Sequence, residues 1–349
     1  MIPFKCQCAN VLFFENTACV RCGAEVGYDC DTNAMLSIQV EKGVRRCQNG
    51  AQHQVCNWAV VNGAEGDLCP ACQLNRTIPN LSNLENLENW GHLESAKRRA
   101  LHTLRRFNLF PKSKTQFSGG LAFDFLMPTK EVPVMTGHRE GVITVNLREG
   151  DDSYREKQRH QLGEPYRTLI GHFRHELGHY YWDRFFQWRS DNDPMLQRLR
   201  SVFGDERTDY AAALKRHYEK GAPADWNLAH VSGYATSHPW EDWAETWAQY
   251  LHMQDGLETI RTFGWDGSPT IPFTPFTEQG LFDPTTAPDL DFLKDLNEWT
   301  KLLPVVNEMA AGFGHPNLYP FVFSTGNARK LHFIHQTVAL GLPPAVEQG

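Results

Sequence analysis

The cysteines constrain the fold of this chain more than any other feature, because all nine of them lie close to one end. They fall between Cys6 and Cys72, and none follows. A secreted disulfide scaffold distributes its bridges along the chain, whereas such a cluster is typical of a metal-binding module on a protein of a reducing compartment. We therefore predict a cysteine-rich head over residues 1–78, a larger domain over 79–340 and a loose tail over 341–349.

The spacing of the cysteines predicts two zinc ribbons. Four thiolates satisfy a tetrahedral zinc, and Gly23, directly after a CxxC knuckle, suits the turn that aims backbone amides at the sulfurs. The predicted ligands are Cys6, Cys8, Cys19 and Cys22 for one structural zinc, and Cys47, Cys56, Cys69 and Cys72 for the other. Cys30 is left over, and we expect it to be a small buried apolar residue. His53 is an alternative to Cys56 as a ligand.

The role of the head stays open between two alternatives. The ribbons either fold a segment too small to hold itself together, which we favour, or bind a partner protein or nucleic acid. The formal net charge of −7 is spread along the chain, which disfavours nucleic acid and anionic membranes as partners. The N-terminus MIPFKCQC lacks the features of a secretory signal, and no apolar run is long enough to span a bilayer, so we expect a cytoplasmic location.

The segment after the head indicates an α+β fold that is mainly helical. Residues 73–91 are polar and rich in asparagine, which favours a linker, and a helix is predicted from Leu93 to Phe107. Its basic residues Lys97, Arg98, Arg99, Arg105 and Arg106 are interpreted as a solvated face rather than a nucleic-acid surface. Residues 120–127 and 141–147 predict two strands, and helical patterns dominate after residue 155.

The segment GHFRHELGHYYWDRF, residues 171–185, predicts a buried helix that holds zinc. The helix is expected from about residue 164 to 188 and is apolar on nearly every side apart from one polar stripe. Within that stripe His175 and His179 lie one turn apart and could chelate one zinc, and Glu176 could then deprotonate a metal-bound water. His172 and Asp183 share the stripe; a ligand role and a hydrogen-bonding or capping role are equally open for them, and we leave them out of the predicted ligand set.

The third ligand must come from elsewhere, because Trp182 and Phe185 stand where a metzincin has its glycine and third histidine. The segment YATSHPWEDWAETWAQYLH, residues 234–252, predicts a helix that begins at Pro239, with small alanines that permit close approach. Glu241 on this helix is the favoured carboxylate ligand, and Glu245 one turn later could orient a histidine or the water.

Other interpretations of these acidic residues remain. Glu241 or Asp242 could simply stabilise the start of the helix through its dipole. Asp205, Glu206 and Asp209 in FGDERTDY, interpreted as another acidic helix, are competing donors.

Several of these stretches resemble a known family. The FKCQC and ACVRCG knuckles, GEPYRTLIGHFRHELGHYYWDRF, FGDER and HPWEDWAETWAQYLH resemble the bacterial family called "putative zinc-binding metallopeptidase", which carries an N-terminal zinc ribbon. The resemblance covers nearly the whole chain and implies a zincin-like domain. More distantly, the chain is similar to the anthrax lethal factor type of gluzincin. That similarity implies zinc ligands His175, His179 and Glu241, with Tyr234 supporting the transition state and Glu245 beside the ligands.

The predicted function is a zinc-dependent metallopeptidase with one catalytic and two structural zincs and a peptide or protein substrate. Glu176 would move the proton, and Tyr234 or His238 would stabilise the oxyanion, although His238 is interpreted as structural. The strand GVITVNL looks like the zincin strand that pairs with extended substrate. The alternatives are an inactive zincin-like scaffold whose ribbons bind protein or nucleic acid, and a hydrolase of non-peptide amides.

Overall fold

The chain forms two compact units in the computed structural model, which describes residues 2–38, 40–162, 168–265, 273–319 and 323–342. The first unit runs to Phe173 and the second begins at Arg174. Within the described ranges, the strands and the cysteines belong to the first unit and the second is helical. The predicted α+β class is confirmed. The predicted boundaries at 78 and 340 stay predictions, and residues 343–349 of the predicted tail lie outside the described residues.

Three short antiparallel hairpins build the cysteine-rich part. They are β1 (Phe4–Lys5) with β2 (Val11–Leu12), β3 (Val26–Asp29) with β4 (Ala34–Ser37), and β5 (Val44–Arg46) with β6 (Ala59–Val61), and helix α1 (Gln48–His53) lies between β5 and β6. Aromatic rings fill the space between the hairpins: Tyr28 contacts Phe14 and Trp58 with ring centroids 5.0 Å apart in both pairs. Such contacts between buried rings add to the stabilisation from burying their large apolar area.

A four-stranded sheet follows, with the order β7, β8, β10, β9. Its strands are β7 (Asn75–Thr77), β8 (Ala122–Leu126), β9 (Gly137–Arg139) and β10 (Val142–Asn146), so both strands predicted from sequence are confirmed. However, β10 pairs parallel with β8 on one side and antiparallel with β9 on the other. The prediction that this strand pairs with substrate is therefore wrong. Glu140 and Gly141, with φ of 51° and 75°, form the tight turn that brings β9 onto its second edge.

Helix α2 (Leu84–Arg106) corrects the prediction of a linker over residues 73–91. The helix begins at Leu84 rather than Leu93, and strand β7 occupies another part of the segment. The physical reason is the cap: the Asn83 side chain accepts a hydrogen bond from the Glu85 backbone N–H at 3.0 Å. Asparagines that indicated a linker by composition therefore include the start signal of a helix.

The basic residues of α2 do not form the solvated face that we predicted. Lys97 is fully buried and its Nζ lies 2.8 Å from Glu94 Oε1, while Arg98 is 4% exposed and donates to the Val55 carbonyl. Arg105 Nη2 donates to the Asp31 carbonyl at 2.8 Å. Carbonyl groups in the irregular backbone of the cysteine-rich segment lack the backbone hydrogen bonds of a regular sheet. These basic side chains donate hydrogen bonds to them instead. The basic face of α2 therefore holds the cysteine-rich segment.

The remaining helices are α3 (Asp152–Leu162), α4 (Leu169–Phe186), α5 (Pro194–Phe203), α6 (Tyr210–Lys220), α7 (Pro239–Thr262), α8 (Glu278–Leu281), α9 (Leu290–Gly312) and α10 (Thr325–Leu340). Helix α7 is central to the second unit and contacts α5, α9 and α10. Its Trp243 and Trp247 are fully buried, and Trp243 contacts Phe186 and Phe333. Residues 164–167 of the predicted catalytic helix lie outside the described residues. Among the described helices, none has the length and apolar character needed to cross a membrane.

Candidate metal centre

A close crossing of α4 and α7 places the candidate metal ligands next to one another. A Cβ on Gly178 would lie 2.9 Å from Ala244 Cα, so only glycine permits this approach. The Trp243 indole N–H donates to the Gly178 carbonyl at 2.8 Å and fixes the crossing. Ala244 lies between Glu241 and Glu245 on α7, so both carboxylates face the histidine-bearing surface of α4.

Three potential ligand atoms meet at this crossing. The Nε2 atoms of His175 and His179 are 3.1 Å apart, and Glu241 Oε2 lies 3.0 Å from the first and 3.4 Å from the second. Ligands about 2.0–2.1 Å from a tetrahedral zinc lie roughly 3.3 Å from one another. The three atoms therefore have the spacing of one face of a tetrahedron of the size that zinc requires, and no fourth ligand atom joins them among the residues that the structure describes.

The hydrogen bonding of Glu241 fits a metal ligand. Glu241 is 1% exposed, and no described residue donates a hydrogen bond to its buried Oε2. A buried carboxylate oxygen without a donor is costly, and a cation facing it removes the cost. The same argument applies to Glu176, which is 9% exposed and whose Oε2 also has no hydrogen-bond partner in the structure.

The two histidines are held by different contacts. His175 Nδ1 lies 2.7 Å from Glu245 Oε1, and Ser232 Oγ donates to Glu245 Oε2 at 2.7 Å. A carboxylate on the far nitrogen fixes the tautomer of a metal-binding histidine and raises its basicity. His179 instead stacks on Trp240, with ring centroids 3.7 Å apart. Glu245 therefore lies where the sequence predicted it, behind a histidine.

A tyrosine hydroxyl fixes the second oxygen of Glu241. Tyr210, the first residue of α6, donates its O–H to Glu241 Oε1 at 2.5 Å. Partial burial and the adjacent Glu241 carboxylate raise the pKa of Tyr210 above its ordinary value, so the phenol keeps its proton and remains a donor.

The electrostatics of the cluster favour a cation at its centre. Burial lowers the pKa of His175, but the adjacent carboxylates of Glu241 and Glu245 raise it well above its ordinary value. Burial raises the pKa of Glu176, although His175 and His179 oppose this effect. Three carboxylates around two imidazoles thus create a site where a positive charge, either a proton or a metal ion, is stabilised.

The competing acidic residues are engaged elsewhere. Asp242 is 1% exposed and lies 2.5 Å from Lys330 Nζ, and α7 is capped by His238, whose side chain accepts from the Trp240 N–H at 3.0 Å. Glu241 therefore does not serve as the cap. The predicted acidic helix is wrong: residues 205–209 precede α6, because Asp209 caps that helix from outside by accepting from the Ala212 N–H.

The same segment offers no free carboxylate to the histidines. Asp205 pairs with Arg207 at 2.7 Å, and Glu206 pairs with Arg200 at 2.6 Å.

The remaining predicted residues occupy distinct places. The Tyr234 ring lies 6.1 Å from the His175 ring, at the start of a short 3-10 helix before α7, and burial raises its pKa. His238 serves as the cap described above and also contacts the Thr208 carbonyl at 3.1 Å. His172 Nδ1 lies 3.8 Å from Glu149 Oε2, and burial raises the pKa of Asp183 to about 6. Neither belongs to the three-residue cluster.

The cysteines form two clusters of four, with the composition expected from their spacing. Sulfur pairs lie 3.7 Å apart for Cys6 and Cys22 and 3.6 Å apart for Cys56 and Cys69. A zinc–sulfur bond of about 2.3 Å separates thiolates by roughly 3.8 Å, whereas a disulfide brings them to about 2.05 Å. Gly23 has φ of 73°, as its predicted turn requires.

The surroundings of the clusters agree with a metal-binding role. The Cys69 N–H donates to Cys47 Sγ at 3.3 Å, as in a metal-binding knuckle. Cys30 is buried outside both clusters, and the ring of His53 lies against Trp90, with centroids 6.1 Å apart.

Three residues of the candidate centre were not identified from the sequence: Tyr210, Ser232 and Trp240. Tyr210 and Ser232 lie 31 and 13 residues from the acids that accept their hydrogen bonds. No spacing rule connects hydroxyls to acids across such gaps. Trp240 precedes Glu241 in the chain, but its stacking on His179 depends on the crossing of two helices.

Comparison with known proteins gives two family matches. Residues 86–337 match the model of the family described as "Putative zinc-binding metallo-peptidase", and residues 3–83 match a zinc-ribbon domain. The first match covers both helices of the crossing and therefore the whole candidate centre. The second covers all nine cysteines.

The chain is also similar to proteins of two mycobacteria. Uncharacterized proteins of Mycobacterium tuberculosis and Mycobacterium bovis are each 40% identical to it over 340 residues, which cover 97% of this chain and 95% of theirs. No solved structure matches the chain.

Proposed function

Because the chain belongs to the family described as "Putative zinc-binding metallo-peptidase", we propose that it is a zinc-dependent peptidase whose catalytic metal is held by His175, His179 and Glu241. The observation that carries this proposal is the set of three ligand atoms 3.0–3.4 Å apart beside the buried Glu176. Three protein ligands with an open fourth position are typical of catalytic zinc, whereas structural zinc has four.

Zinc in this position would polarise the peptide carbonyl and lower the pKa of a coordinated water. Glu176 then accepts a proton from the attacking water and passes it to the leaving amine. Burial raises the pKa of the Glu176 carboxyl above its ordinary value, which makes the carboxylate a stronger proton acceptor. Glu245 holds His175 through Nδ1 and thereby keeps its Nε2 turned toward Glu241.

Tyr234 is the proposed hydrogen-bond donor to the oxyanion. Its phenol keeps its proton because burial raises its pKa, so it can donate throughout the working pH range. Loss of one oxyanion donor typically costs roughly 10²–10³-fold in kcat. For Tyr234→Phe we expect a fall of that order with zinc content unchanged. A variant with unaltered kcat would remove Tyr234 from the mechanism.

The two cysteine clusters are proposed to hold structural zinc, which gives three zincs per chain. The placement of Tyr234 and Glu245 around Glu241 supports a site of the gluzincin kind, and the similarity to the anthrax lethal factor type stays a prediction.

Metal analysis combined with two variants tests the proposal. The native protein is expected to contain three zincs and to cleave members of a peptide library. Glu241→Ala should retain two zincs and lose cleavage, because one ligand of the third site is gone. Glu176→Gln should retain three zincs and lose cleavage by roughly 10²–10⁴-fold, since it removes the proton acceptor and no ligand. Two zincs in the native protein, or full cleavage by Glu176→Gln, would contradict the proposal and favour a binding module.

A further inference from the structure

Tyr210 and Ser232 make equivalent contacts with the two carboxylates of the candidate centre. Glu245 directs Oε1 to His175 and accepts the Ser232 hydroxyl on Oε2. Glu241 directs Oε2 to the two histidines and accepts the Tyr210 hydroxyl on Oε1. In each acid one oxygen faces the cluster, and a hydroxyl from a neighbouring segment holds the other.

The contact with Tyr210 decides how Glu241 can bind a metal. A carboxylate on a flexible side chain can rotate and offer either oxygen or both. A donor at 2.5 Å from Oε1 disfavours these alternatives and leaves Oε2, to which no described residue donates a hydrogen bond, as the oxygen for the metal. Preorganised ligands bind more tightly because less rotational freedom is lost on binding.

Tyr210 is placed mainly by aromatic contacts with the start of α7. Its ring lies 5.2 Å from the His238 ring and 5.6 Å from the Trp240 ring. Helix α6 itself contributes little burial, since Ala213 is its only buried residue. Near its other end, the His217 ring lies 5.9 Å from the Tyr234 ring. The helix is therefore attached to the centre chiefly through side chains at its two ends.

We propose that Tyr210 is a positioning residue of the metal centre. Its hydrogen bond to Glu241 Oε1 leaves Oε2 as the oxygen that binds the metal. The same bond links the packing of α6 against the centre to metal binding. The inference rests on the proposed function in taking His175, His179 and Glu241 as the ligands. Coupling of this kind is reciprocal, so a metal bound at the centre stabilises the docked helix as much as the docked helix stabilises the metal.

The test measures zinc affinity and requires no peptidase assay. In the full chain, Tyr210→Phe keeps the aromatic ring beside His238 and Trp240 and removes only the hydroxyl. Competition with a fluorescent zinc chelator is expected to show about 10–100-fold weaker binding at one of three sites, which is the usual loss when a partner of a metal ligand is removed. Binding at the two cysteine clusters serves as an internal reference and should not change.

Tyr218→Phe is the matched control, because it removes a hydroxyl from the same helix at a residue that is 66% exposed. Its zinc affinity should equal that of the native protein. Hydrogen exchange gives a second readout: amides of α6 should exchange more slowly with zinc than after chelation, and Tyr210→Phe should reduce this difference.

Equal zinc affinities of Tyr210→Phe and Tyr218→Phe would overturn the inference. This holds even if Tyr210→Phe melts at a lower temperature, because a loss of stability without a loss of zinc affinity indicates a purely structural role. If the native protein binds only two zincs, the inference fails together with the proposed function. If it binds three and Tyr210→Phe binds them equally well, the inference fails alone.

Discussion

The cysteine clusters and the histidine–glutamate cluster differ in how many ligands the chain supplies. Each cysteine cluster provides four thiolates, and Cys47, Cys69 and Cys72 of the second have no exposed surface. The histidine–glutamate cluster provides three ligands and places the buried carboxylate of Glu176 beside them. A closed tetrahedron leaves zinc no position for substrate, whereas three ligands leave one. Under the proposed function, this difference separates two sites that would stabilise the fold from one that would react.

The largest effect is expected when a ligand of the buried cysteine cluster is removed. Cys69→Ser should release one zinc and lower the free energy of unfolding of the cysteine-rich segment by several kcal/mol. Structural zinc contributes roughly 10–16 kcal/mol to the folding of isolated zinc fingers, so its loss removes a major stabilising interaction. Metal analysis and urea denaturation followed by tryptophan fluorescence measure the two effects.

Cys30→Ser is the matched control, because Cys30 is buried but belongs to neither cluster. It should retain the native zinc content. If Cys69→Ser also keeps its zinc, or if Cys30→Ser loses one, the assignment of the second cluster is wrong.

An intermediate effect is expected for the carboxylate behind His175. Glu245→Gln removes the charge that faces His175 Nδ1 at 2.7 Å, so zinc affinity at the third site should fall about tenfold, toward the lower end of the usual 10–100-fold range. The cysteine clusters should keep their zinc, which would sharpen the contrast between the two kinds of site. Chelator competition measures the affinities.

Glu219→Gln, at an exposed position of α6, provides the control for loss of one negative charge. If both variants lose affinity equally, the effect is one of net charge and Glu245 has no specific role.

The same contrast explains how far the sequence predicts each site. Cys6 and Cys8, Cys19 and Cys22, and Cys69 and Cys72 lie in short pairs, whose spacing indicates that their sulfurs can meet, whereas Cys47 and Cys56 were assigned by their distance from the last pair. His175 and His179 are predictable for the same reason, since one turn of helix separates them. Glu241 is 62 residues beyond His179, and it could be selected only from the pattern of α7 and from resemblance to a family.

Tertiary contacts account for what the sequence did not predict. Ser232 and Tyr210 reach Glu245 and Glu241 only after the helices have assembled, so no local pattern indicates them. The interpretation of Lys97 and Arg98 as solvated failed for a related reason. Charge is usually exposed, but these side chains are buried against Glu94 and the Val55 carbonyl, and such partners cannot be identified from the sequence of one helix.

The smallest effect is expected where the cysteine-rich segment continues into the sheet. Strand β7 follows Cys72 closely, and its Arg76 makes a bidentate contact with Asp124 of β8, with Nε 2.9 Å from Oδ1. Asp124→Asn should lower the free energy of unfolding at pH 7 by only about 1 kcal/mol, because Arg76 is half exposed and solvent screens the pair. Zinc content should not change.

The pH dependence of this small effect identifies its cause. The hydrogen bond from Arg76 lowers the pKa of Asp124, so the unfolded chain takes up the proton first as the pH falls. The stabilisation is therefore complete above the ordinary aspartate pKa of about 3.9 and is lost as the pH falls below it. Urea denaturation of the native protein and of Asp124→Asn should show that the difference between their free energies of unfolding becomes smaller from pH 7 to pH 3. Glu219→Gln, from a long and exposed pair with Lys215, is the control and should show little difference from the native protein at any pH. If Asp124→Asn is still less stable than the native protein at pH 3 by the same free energy of unfolding, the Asp124 side chain acts through packing rather than charge.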